Sequence, residues 1–126
     1  VSGPFVPHVL LPQVVRRVVE PGRSGVYVLG RDERGFKPGY VGRSDTDLQR
    51  RLATHNHRDE FEYFIFRYAG SPEEAFRLEC ELWHAHEETA SGMLNRIHPD
   101  APSGSGLECP YCAFGKDLAA LLRHVS

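Results

Sequence analysis

Two stretches decide the fold: Gly25-Val26-Tyr27-Val28-Leu29 and, about a dozen residues on, Gly39-Tyr40-Val41-Gly42. Each is rich in β-branched and aromatic residues, and the polar, glycine-containing residues 31–38 between them suit a hairpin loop, so the two read as antiparallel strands. Downstream, Ser44, Asp45, Thr46 and Asp47 offer N-caps for a helix reaching about residue 56, with Leu48 and Leu52 on one face. The aromatic run from Phe61 to Tyr68 reads as a third strand. Ser71 as N-cap, Pro72 at the first helical position and Glu73 and Glu74 in the first turn open a second helix that should run to about residue 88. Residues 98–110 hold three Pro and two Gly and read as loop, and residues 116–124 suit a short closing helix around Leu118, Leu121 and Leu122. Upstream, residues 1–24 read as a Pro-rich extension. Within it Val14, Val15, Val18 and Val19 recur at helical spacing, although β-branched residues equally suit a strand.

The chain's 126 residues suit one domain with one core, 1–126, and exclude two catalytic domains. Hydrophobic residues at 40% and charged residues at 25% are ordinary globular values. A formal charge of -2 excludes coating of nucleic acid by bulk positive charge, so any such contact must come from a local patch. No apolar run approaches the ~20 residues of a membrane span, and the Pro-rich start does not read as a signal peptide. Three cysteines fit reduced thiols or metal ligands better than paired disulfides, and a cytoplasmic location is expected.

Gly25-Val26-Tyr27, Tyr40-Val41-Gly42, Arg51 in the first of these helices, Glu79 in the next and Asn95 beyond it resemble the GIY-YIG nuclease family in order and spacing. The resemblance covers residues 25–95, taken as the core. It implies an α+β fold with a small three-stranded antiparallel sheet flanked by helices, and cleavage of phosphodiester bonds with one divalent metal, Mg²⁺ or Mn²⁺. It further implies that Tyr27 and Tyr40 face the active site, Arg51 binds the scissile phosphate, Glu79 holds the metal and Asn95 supports the site. Many family members carry His or Tyr four residues after the Arg, as His55 stands here, and some carry Lys where this chain has Arg43.

The residues themselves argue in the same direction. On a helix, Leu82, Ala75, His86, Glu79 and Trp83 share a sector of roughly 100°, so Glu79 lies in the apolar face, where a carboxylate is either ion-paired or a metal ligand. Glu81 points the other way as a solvated charge. Arg51 and His55 share a stripe beside Leu48 and Leu52. A guanidinium matches paired phosphate oxygens, which makes Arg51, and Arg43, Arg50, His57 and Arg58 around it, the candidate substrate contacts; for Arg50 a merely solvated basic face is the preferred reading. Residues 43–58 carry four Arg and two His, whereas 73–88 carry six Glu and one Arg. One side would hold the phosphate and the other the cation. A Tyr could serve as base only if nearby cations lower its pKa from about 10.

Cys109-Pro110-Tyr111-Cys112 is a C-x2-C, in a Cys-containing segment spanning 96–126. Cys80 and His84, at i and i+4 on the acidic helix, would complete a structural zinc site with Cys109 and Cys112, tying the C-terminal loop back; His86 or His98 could replace His84. The functional expectation is a metal-dependent endonuclease acting on DNA, with RNA left open and specificity supplied by loops or a partner protein. The alternatives are an inactive nucleic-acid-binding module of the same fold and a thiol redox protein using Cys109 and Cys112.

Overall fold

The computed structural model describes residues 6–55, 58–87 and 99–110, without the side chains of Arg58, His86 and Glu87. In order the elements are β1 (His8–Val9), α1 (Pro12–Val18), β2 (Gly25–Asp32), β3 (Phe36–Ser44), α2 (Leu48–Ala53), a 3-10 turn (Arg58–Glu60), β4 (Tyr63–Tyr68) and α3 (Pro72–Glu87). The architecture is α+β. The antiparallel sheet has four strands in the order β1-β4-β2-β3, not the three expected, because His8 and Val9 pair with Phe64 and Tyr63 along the free edge of β4.

β2 is central, and its alternation sorts the core. Tyr27 and Leu29 point to the face covered by α1 and α2, where they meet Val15, Val19, Leu48, Leu52, Phe64 and Phe66. Val26 and Val28 point to the opposite face, where α3 supplies Ala75 and Trp83. A strand buried on both faces needs apolar residues at successive positions, which is how Val26 to Leu29 read. The N-terminal segment is not an appendage to this core. Leu10, Val15 and Val19 are buried within it, each burial contributing about 1.5–3 kcal/mol. Pro12 stands in the first turn of α1, where its missing N–H costs nothing.

β2 and β3 extend well into the expected 31–38 loop, leaving only residues 33–35 as the turn. Arg34 (φ 61°) and Gly35 (φ 110°) take left-handed conformations there, and the Gly35 N–H donates to Asp32 Oδ1. Asp47 caps α2 through its side chain, accepting from the Arg50 N–H, and Ser71 Oγ accepts from the Glu74 N–H at the start of α3. α2 closes at Ala53, short of the expected residue 56. β3 is an edge strand, with α2 bordering one of its faces and α3 the other, so groups from both helices can meet around it. Among the described residues no helix is long and apolar enough to cross a membrane. The expected closing helix at 116–124 lies outside them.

Candidate active site

Tyr27 lies directly across from Gly42 in the β2–β3 ladder. Its ring occupies the space a side chain at 42 would need: a Cβ there would overlap Tyr27 Cζ and Oη. Only glycine lets the phenol lie over the edge strand. Tyr40, two residues earlier on β3, projects from the same face by the strand period, and the two rings stack with centroids 6.3 Å apart and planes at 14°. His55, just past the end of α2, meets both edge-on at 5.3 and 4.9 Å, and its Nε2 is 2.7 Å from Tyr27 Oη. Arg51 hydrogen-bonds the same phenol. Four of the expected site residues, Tyr27, Tyr40, Arg51 and His55, are thus in one cluster built from β2, β3 and α2.

The electrostatics assign the protons. Burial holds the Tyr27 phenol well above the ordinary tyrosine range, against the opposing influence of the Arg51 hydrogen bond and charge. Burial raises Tyr40 as well, again against Arg51. In the chain alone, therefore, the neighbouring cation does not bring either phenol down, and the condition for a tyrosinate base is not met. A protonated Tyr27 accepts from Arg51, which has only donors, and shares a second hydrogen bond with His55 Nε2 whose direction follows the imidazole tautomer. Arg51 remains a firm cation, held up by its hydrogen bond and charge contact with Tyr27.

Glu79 comes from α3, whose buried positions Ala75, Phe76, Glu79, Cys80 and Trp83 follow the helical repeat, while Glu81 is exposed. Glu79 is 8% exposed as a residue. Its charge is felt at Tyr27, Tyr40 and Arg51. It also pairs with Arg43, whose Nη1 donates to Glu79 Oε1 at 2.6 Å and to the Asp100 carbonyl at 2.6 Å, while Nε donates to Asp45 Oδ1 at 2.9 Å. Burial lowers the guanidinium pKa, but the bonds to Asp45 and Glu79 outweigh it and the net shift is upward. Arg43, expected to contact phosphate, is turned by β3 alternation to the α3 face, where its donors meet acceptors of the chain itself. Asp45 and Asp100 were not foreseen as its partners, although Asp45 stands only two residues away.

No group of three or more His, Cys, Asp and Glu able to hold a metal exists among the described residues. A lone carboxylate can still hold Mg²⁺, which keeps most of its waters and takes one or two carboxylates together with substrate oxygens. Glu79 is such a carboxylate, with Arg43 as its present counter-charge. Arg50 is exposed, its carbonyl capping Thr54, and it joins none of these contacts. Asn95 and His57 lie outside the described residues, as do Cys112 and His98. The side chains of Arg58 and His86 do too. Cys80 and Cys109 are buried in one cluster with Phe76, and Cys109 Sγ is 3.5 Å from His84 Nε2. Comparisons of the chain with protein-family models, with curated proteins and with solved structures each return no match.

Proposed function

We propose that the chain is a metal-dependent endonuclease that hydrolyses phosphodiester bonds, with DNA as substrate, through a GIY-YIG-type site. The observation that carries this reading is the convergence of Arg51, Tyr27, Tyr40 and His55 on one side of an edge strand with Glu79 on the other. Arg51 is placed to bind and neutralise a phosphate oxygen pair. Tyr40, only half-buried, orients the attacking water. With both phenols held up, the group able to take up the water's proton is the imidazole of His55, directly or through Tyr27: as Tyr27 Oη receives a proton it passes its own to Nε2. Glu79 would hold the divalent cation, which supplies charge to the phosphate when bound.

A second reading is favoured by one feature. Arg43 already neutralises Glu79, and a site in which that pair never opens would bind nucleic acid without cutting it. Nicking of supercoiled plasmid with and without Mg²⁺, beside a binding titration on labelled oligonucleotides at low salt, separates the two. Metal-dependent nicking supports the nuclease; binding with no nicking at any metal concentration supports the module. A panel of single-stranded, duplex, flapped and RNA oligonucleotides then identifies the substrate.

A further inference from the structure

We propose that α1, through Arg16 and Arg17, is a second contact for the phosphate backbone of the nucleic acid, one helix removed from Arg51. The inference rests on the nucleic-acid reading of the site above and states how the substrate lies on the chain. α1 is held to the core by the buried Val15 and by Val19 just past its end. Arg16 and Arg17 take no part in that packing. Both are exposed, and among the described residues neither forms an ion pair. The carboxylates of residues 12–24 and 47–55 are Glu20 and Asp47, and the chain already engages both: Glu20 pairs with Arg23 at 3.0 Å, and Asp47 Oδ1 accepts from the Gly22 and Arg50 N–H groups. The two arginines are therefore left as uncompensated charge, and a polyanion is the partner that such charge attracts. Adjacent on the helix, they diverge by about 100°, which suits two phosphates better than one.

α2 sets their position relative to the site. Gln49 Nε2 donates to the Val19 and Arg16 carbonyls at 2.8 and 3.3 Å, tying the end of α1 to α2, while Arg51, two residues on, bonds the Tyr27 phenol. α2 thus stands between α1 and the phenols. Packed helix axes lie ~8–10 Å apart, which puts the α1 arginines on the order of 15 Å from Arg51. One strand of a duplex advances ~3.4 Å per phosphate, so a backbone bound at Arg51 reaches α1 about four or five nucleotides away.

The test reads binding without cleavage. A labelled oligonucleotide duplex is titrated in EDTA at several salt concentrations with the wild type, with an Arg16→Ala, Arg17→Ala double variant, and with Arg77→Ala, which removes an exposed arginine from α3 on the other face of the sheet. Loss of two phosphate contacts should weaken binding on the order of 10-fold or more and flatten the dependence of log affinity on log salt by about 1.8. Arg77→Ala should change neither. Should the double variant fail to fold, the single variants Arg16→Gln and Arg17→Gln carry the test, each flattening the dependence by about 0.9. A double variant that melts at a lower temperature but binds as the wild type does would show that the arginines serve only the C-terminal end of α1, and would overturn the proposal. So would a wild type that binds no duplex, or a loss confined to vesicles of anionic lipid. Plasmid nicking stands apart from these outcomes: binding through Arg16 and Arg17 in a chain that never nicks keeps the proposal and removes the nuclease, whereas nicking with unchanged binding in the double variant keeps the nuclease and removes the proposal.

Discussion

Glu79 and Arg43 are each largely withdrawn from solvent, with side-chain exposures of 10% and 14%, and each is the other's charge partner at 2.6 Å. Removing Arg43 takes a charge partner at 2.6 Å from a carboxylate withdrawn from solvent, which costs more than the pair contributes. Arg43→Ala should therefore lower stability by on the order of 2–4 kcal/mol in chemical denaturation. Added Mg²⁺ should restore part of that loss by replacing the counter-charge at Glu79, whereas an unaltered denaturation midpoint would show the carboxylate already solvated. Arg51 and Arg50 offer a second comparison at this scale. Both are exposed, but of the two only Arg51 touches the Tyr27 phenol, so Arg51→Ala should reduce the cleavage rate on the order of 10²-fold or more while Arg50→Ala does little. Equal losses would mean that both arginines act only by attracting the nucleic acid.

Among the elements, the β2–β3 pair sets the geometry, because the Tyr27 ring rests where a side chain at 42 would be. Gly42→Ala must displace a ring that is 1% exposed and bonded to His55, so it should cost about 1–3 kcal/mol and lower cleavage together with stability. A variant that folds and cuts normally would remove Tyr27 from the account. These two strands and α3 were legible because length, cap and alternation agree: Ser71, Pro72, Glu73 and Glu74 mark the start of α3 in the sequence and Ser71 caps it in the structure. β1 was not legible. Two residues carry no periodicity, and His8 and Val9 become a strand only because β4 offers them an edge. The Val-rich α1 was ambiguous for a different reason, since β propensity and helical spacing conflict in residues 13–20. Burial of Val15 and Val19 against α2 and the sheet decides it. In the site, strand alternation alone places Tyr40 and Arg43 on opposite faces, but which face carries Arg51 and which Glu79 depends on helix placement, so the pairing of Arg43 with Glu79 was not legible.

For the molecule as a whole, a sheet with a basic helix on one face and an acidic helix on the other brings opposite charges together around its edge strand. Burying Tyr27 in that arrangement also makes stability depend on alkaline pH. In the unfolded chain Tyr27 ionises near pH 10, while in the native state burial keeps it protonated to higher pH. Its contribution is therefore intact below about pH 10 and is lost as pH rises through the native value. Melting temperatures measured across that window should fall more steeply for the wild type than for Tyr27→Phe, and parallel curves would show that the phenol titrates alike in both states. The central claim, that Glu79 serves a cation in phosphodiester hydrolysis, is tested most directly by plasmid nicking in Mg²⁺ with Glu79→Gln beside Glu81→Gln. The amide keeps the size of the side chain and removes its charge, and Glu81 is the exposed control two residues away on the same helix. Metal-dependent nicking lost in a folded Glu79→Gln and retained in Glu81→Gln is the predicted result; equal nicking by both variants would contradict it.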